Sequence, residues 1–231
     1  LQQAQQFRCD CFGPPAPCKE SWIFINFKET TMNATVESKL SEFDFIAVID
    51  ASGSMGEEDM PGGKSRWEYM QETATSFVRD LEKFDSDGID VVLFGGQVTS
   101  FQGVTTDKVK DVFGSRSPRG STPLAEALTT ALQLAGKSDK KDFIIVFTDG
   151  VPDDKAAAAK VIVDASHSLE SDDELTILFV QVGKDAAATA YLTELDNTLA
   201  GAKFDIVDAK TMAEAELFPS TTALIEAAIN D

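Results

Sequence analysis

The stretch that most constrains this chain is Phe43 to Ser54, where an apolar run, Phe43-Asp44-Phe45-Ile46-Ala47-Val48-Ile49, leads directly into Asp50-Ala51-Ser52-Gly53-Ser54. So short a run with β-branched members is too brief for a globular helix and suits a strand buried on both faces, which needs helices above and below it. Its end carries one carboxylate and two hydroxyls at alternate positions. A chain that stays extended there turns Asp50, Ser52 and Ser54 to one side, giving a hard, oxygen-only cluster. In open α/β sheets ligands sit outside the carboxyl ends of strands, which is where this cluster falls.

From Phe43 onward strand and helix alternate. Gly56 to Lys64 reads as a loop, and Ser65 with Glu68 as a capping box that opens a helix whose apolar residues Trp67, Met70, Ala74, Phe77 and Leu81 step by threes and fours. A buried strand, Ile89 to Phe94, is followed by Gly95-Gly96, which suits a tight turn into an antiparallel edge strand from Val98 to Val104. A short helix is expected near Thr106 to Phe113, and then an irregular loop runs to Gly120-Ser121-Thr122-Pro123. Pro123 suits the first residue of a helix that Gly136 stops. Thr122 at its mouth is either the N-cap or a ligand contact, since one hydroxyl serves both poorly.

Phe143 to Phe147 is a further buried strand, and Thr148-Asp149-Gly150 places a second carboxylate at a strand's end. Helices near 154–169 and 186–199, strands near 175–182 and 204–207, and a helical region over 211–229 broken at Pro219 complete the pattern. The expected fold class is α/β: a doubly wound, mostly parallel sheet with one antiparallel edge strand and helices on both faces.

Residues 1–40 read as a separate Cys/Pro-rich arm, and residues 41–231 as the domain. The arm holds all three cysteines, Cys9, Cys11 and Cys18, among prolines that exclude a helix or central strand. With His167 the only histidine, no zinc site can be completed nearby. A small disulfide loop from Cys9 or Cys11 to Cys18 leaves an odd thiol, which is either inert or pairs between chains. Trp22 to Phe27 is an aromatic run that packs on its own domain or docks on a partner. The sequon Asn33-Ala34-Thr35, the clustered cysteines and a start at Leu1 point to a processed protein of the secretory or extracellular compartment.

Charge narrows the partners. With 20 Lys and Arg against 39 Asp and Glu, the formal net charge of -19 repels phosphate backbones and anionic lipid surfaces, which argues against nucleic acid and membrane insertion.

Together, Asp50-x-Ser52-x-Ser54, Gly120-Ser121-Thr122-Pro123 and Thr148-Asp149-Gly150 resemble the von Willebrand factor A family and its metal-ion-dependent adhesion site, over about Phe43 to Ile229. The resemblance implies that Asp50, Ser52, Ser54, Thr122 and Asp149 hold a divalent cation, Mg2+ or else Ca2+ or Mn2+, directly or through water. Magnesium takes about six oxygens and readily keeps waters, so such a set leaves a place for an oxygen from outside. The implied function is cation-dependent protein binding, in which a partner's Asp or Glu completes the coordination. In integrin β-subunit relatives, acids just after the first motif add an adjacent calcium site. Here Glu57 and Glu58 are either such a site or a solvated acidic turn.

Arg116 and Arg119, in the loop before Thr122, either ring the ion and bind a partner's carboxylates or pair with acids of this chain such as Glu57 or Glu58. Two other functions compete with adhesion: a structural subunit held in an assembly by its arm, and a metal-dependent hydrolase. Hydrolysis is disfavoured because Ser52 stands where a phosphoryl-transfer enzyme needs a second acid, and because His167 belongs to a helix far from the serines. The expectation is a protein that is not an enzyme.

Overall fold

The protein is described here from a computed structural model, whose described residues are 39–85 and 87–231. Contacts divide the chain between residues 36 and 37, and every described residue lies in the second unit. The three cysteines, the aromatic run and the sequon lie outside the described residues.

Strand β1 (Phe43–Asp50) is the expected central strand, flanked in parallel by β2 (Ile89–Gly95) and β4 (Lys141–Thr148). With β3 (Gln97–Val104), β5 (Leu175–Gln181) and β6 (Val207–Thr211) the sheet has six strands in the order β3-β2-β1-β4-β5-β6. Among the described strands only β3 is antiparallel, paired to β2 through the Gly95-Gly96 turn. Both faces of β1 are buried, which is why it reads as a nearly continuous apolar run.

Alternate residues serve opposite faces. Ile46, Val48, Ile144, Val146, Ile177 and Phe179 pack against α3 (Leu124–Leu134), α4 (Lys155–Ser168) and α5 (Ala186–Thr198). The other face carries Ala47, Ile49, Val91 and Phe147, which meet α1 (Arg66–Leu81) and α2 (Thr106–Gly114) through Ala74, Phe77, Val78, Val109 and Val112. Phe77 meets Phe147 edge-on at 6.1 Å between centroids, and Trp67 lies 4.6 Å from Phe113. Helices thus cover both faces, as a doubly wound sheet requires. Among the described residues no helix is long and apolar enough to cross a membrane.

The capping box at Ser65 and Glu68 forms in both directions. Two expectations shift. The last strand is Val207–Thr211, starting three residues later and ending four residues later than its apolar run suggested, because the ladder to β5 begins where Ile177 faces Val207. An end strand pairs on one side only, so Asp208, Lys210 and Thr211 are tolerated there. Pro123 sits at the N-cap of α3, with φ -79° and ψ 62°, rather than in its first turn. The C-terminal region breaks at Pro219 as expected, into α6 (Met212–Ala215) and α7 (Thr221–Ile229), the second restarted by the Ser220 cap.

The strand order sets the place of the site. From β1 the chain runs to β2 and β3 on one side, then returns to lay β4, β5 and β6 on the other. The loops leaving β1 and β4 therefore diverge, and the crevice between two such strand ends is where ligands of open α/β sheets bind.

Candidate metal centre

Asp50 ends β1 and Asp149 follows β4, so the register that pairs Ile49 with Phe147 brings the two carboxylates to one edge of the sheet. They are 0% and 1% exposed. The chain does not stay extended after Asp50, contrary to expectation. The Ser52 N–H donates to Asp50 Oδ1 at 2.7 Å and turns the chain into a 3-10 turn over Gly53–Gly56. The turn still gathers the hydroxyls: Ser52 Oγ lies 3.1 Å from Ser54 Oγ, and Ser54 Oγ donates to Asp149 Oδ1 at 2.9 Å. The Thr148 hydroxyl donates to Asp50 Oδ2 at 2.8 Å.

Four of the five expected residues are thus linked by hydrogen bonds, directly or one through the next. Thr122 arrives on a third loop that two contacts hold in place. Its N–H donates to Asp153 Oδ1, its carbonyl accepts from the Asp153 N–H, and both distances are 3.0 Å. No side chain caps α3, so the Thr122 hydroxyl is not spent as an N-cap.

Close backbone approach makes this convergence feasible. Gly53 N–H donates to the Gly120 carbonyl at 3.1 Å, and Arg119 N–H to the Ala51 carbonyl at 2.9 Å. At Gly120, with φ +83°, a Cβ would lie 2.8 Å from Gly96 Cα. Only glycine allows both that conformation and that contact.

Electrostatically the two acids differ. Asp50 has only neutral donors, Ser52 and Thr148. Burial first, and the Asp149 charge second, push its pKa up to about 6, although the hydrogen bonds from Ser52 and Thr148 pull the other way. Asp149 is matched by Arg66, whose Nη1 donates to Oδ2 at 2.7 Å. Arg66 was not singled out in the sequence, because its neighbours read simply as a capped helix start. One signal was available: a cation in the first turn of a helix opposes the helix dipole, which favours anions there.

Arg66 also collects the acidic loop. Its Nε and Nη2 donate to the two oxygens of Asp59 at 2.9 and 2.6 Å, and Nη2 lies 2.8 Å from Glu57. That pairing holds Asp59 below its ordinary ionisation range. Glu58 is exposed. Arg116 donates from Nη1 to the Gln97 carbonyl at 2.8 Å, and among the described residues neither it nor Arg119 joins an ion pair. Burial and the Arg119 charge both disfavour the cationic form of Arg116. Glu57 therefore pairs with Arg66 and not with either loop arginine. His167 lies in the last turn of α4 with Nε2 2.8 Å from the Gly201 carbonyl, beside neither serine.

Chemically the donor set fits a divalent cation. It comprises carboxylate and hydroxyl oxygens only, and its most buried acid, Asp50, has no cationic partner. Among the described residues, a group of three acids with oxygens within 4.8 Å of one another lies elsewhere, at Asp196, Asp208 and Asp231, where Asp208 is tied to Lys210.

Residues 45–151 match the sequence profile of the von Willebrand factor type A domain. No curated protein matches the sequence. Solved structures that share the fold include these three. The manganese-loaded TRAP protein of Plasmodium vivax is 18% identical, with 82% of this chain and 74% of that one covered at a TM-score of 0.55. An aerotolerance-related membrane protein of Bacteroides fragilis is 18% identical, with 81% and 98% covered at 0.56. The vWF domain of the type V pili tip protein Mfa5 of Porphyromonas gingivalis is 14% identical, with 81% and 94% covered at 0.51. At such identities the likeness is one of fold.

Proposed function

We propose that the chain carries a von Willebrand factor type A domain that acts as a divalent-cation-dependent protein-binding module of the adhesion or assembly kind. In this reading Asp50, Ser52, Ser54, Thr122 and Asp149 hold Mg2+, or Ca2+ or Mn2+ in its place, and a carboxylate from a partner protein completes the coordination. The observation that carries it is the pairing of two buried carboxylates, from adjacent strand ends, with hydroxyls that bridge them. Bound, the ion supplies positive charge and an open coordination place. The chain's own part is to hold the oxygens converged and largely dry.

Three further observations support the reading. The Plasmodium vivax neighbour of the same fold carries manganese. Arg116 and Arg119 sit free of acids in the loop that delivers Thr122, so both can meet a partner's carboxylates. No imidazole stands beside Ser52 or Ser54, which favours binding over nucleophilic hydrolysis. Glu57 is engaged by Arg66, so the acidic loop is read as a support for that arginine rather than as a second cation site. A location outside the cell fits the pili tip protein among the neighbours and the sequon at Asn33.

Calorimetric titration with Mg2+, Ca2+ and Mn2+ tests the reading directly. One ion per chain is expected, with binding abolished in Asp50→Ala and the circular dichroism of that variant unchanged. Equal affinity in Asp50→Ala would refute the site.

A further inference from the structure

The loop residues Glu57 and Asp59, the helix start at Arg66 and the strand-end acid Asp149 meet at one guanidinium. Arg66 is 7% exposed although it is a cation, and three carboxylates surround it. Burying a charge at a helix N-terminus is unfavourable twice over, through lost hydration and through the dipole, so the position persists only because the acids compensate. The pocket is shaped for the group. At Gly183, with φ +75°, a Cβ would lie 2.8 Å from Arg66 Nε and 3.0 Å from Cζ, so in its present place the guanidinium packs directly against a glycine. Asp59 receives it as a fork, which a lysine cannot reproduce.

The two acids of the centre are therefore unequal: Asp149 has a resident cation and Asp50 has none. We infer that Arg66 is a built-in counter-cation of the centre, a positioning residue that contends with the divalent ion for Asp149 and holds the centre's affinity for that ion below what its two carboxylates would otherwise give. The inference rests on the metal-binding reading above. An ion held by Asp50 and Asp149 meets one acid already neutralised, and it meets like charge in the guanidinium behind that acid. Removing the guanidinium frees Asp149, Asp59 and Glu57 to attract the ion. A merely structural arginine predicts the opposite: loss of its ties loosens Asp149 and weakens the site.

The test is calorimetry with MnCl2 and MgCl2 on the full chain, its Arg66→Gln and its Arg66→Lys variants, with circular dichroism and thermal melts in chelator to report folding. Arg66→Gln is expected to bind both ions at least about tenfold more tightly, while Arg66→Lys, which keeps the charge, stays within about threefold of the parent. Should Arg66→Gln fail to fold in chelator, Mn2+ present during refolding restores it, because the ion replaces the missing charge. A folded Arg66→Gln with equal or weaker affinity overturns the inference, as does a variant that stays unfolded at saturating Mn2+. If neither the parent nor Arg66→Gln binds either ion, the metal-binding reading itself fails. A parent that binds beside an unimproved variant sinks only the role of Arg66.

Discussion

Replacing Asp50 by Asn is expected to stabilise the metal-free domain. Asp50 is wholly buried, and its pKa stands at about 6, because burial and then the Asp149 charge disfavour the carboxylate. In an unfolded chain the same group titrates near ~3.9. A carboxyl whose folded pKa is raised contributes stability that is complete below the unfolded value and is lost as pH climbs through the folded one. The window runs from about pH 4 to about pH 6, and at roughly 1.4 kcal/mol per pKa unit the loss is about 3 kcal/mol. The Asp50→Asn amide escapes it. Its carbonyl can still accept from the Ser52 N–H, and its amino group can donate to Thr148 Oγ, which then accepts instead of donating. In chelator at neutral pH the variant should be the more stable by about 2–3 kcal/mol, or roughly 4–12 °C in Tm for a chain of this size. At about pH 4 the two proteins should coincide. Urea denaturation across this pH range gives the difference between parent and variant, which cancels the many other acids. A difference that ignores pH, or a variant less stable at neutral pH without metal, would refute the account. Saturating Mg2+ should reverse the order, since the ion needs the carboxylate.

Arg116→Ala combined with Arg119→Ala should weaken partner binding and flatten its salt dependence while metal affinity stays unchanged, because neither side chain pairs with an acid of the centre. Surface plasmon resonance over a salt series reads the first two quantities and calorimetry the third; unaltered partner affinity would leave the arginines without this role. Gly120→Ala should cost at least about 1–3 kcal/mol and weaken metal binding, since its Cβ would strike Gly96 and drive away the loop that carries Thr122. A variant with parental Tm and parental metal affinity would show that the close approach is dispensable.

Most of the fold was legible because each signal was local. The apolar run before Asp50, the Ser65 and Glu68 box and the Gly95-Gly96 turn each state their geometry within a few residues. That Asp50 and Asp149 would meet was legible for a related reason, since both lie at the carboxyl ends of buried strands and parallel sheets bring such ends together. The 3-10 turn after Asp50 was hidden because its cause, the side chain of Asp50 accepting from Ser52, competes with an equally plausible extended path. The final strand was misplaced because partner register, not hydrophobicity, chose Val207–Thr211 over the apolar residues before it. Arg66 escaped because its meaning depends on Asp149, eighty-three residues away in the chain.

The distance along the chain between the two acids also bears on how the domain assembles. The bonds that join Asp149 to Ser54 and Thr148 to Asp50 span 95 and 98 residues, and none can form before β4 has docked beside β1. Parallel pairing at that separation is among the slower events in a folding chain, because loop closure must precede any reward. On the proposed metal-binding reading, an ion would therefore act after the rate-limiting step: it should leave the folding limb of a chevron unmoved and lower the unfolding limb, lengthening the lifetime of the finished domain without hastening its birth.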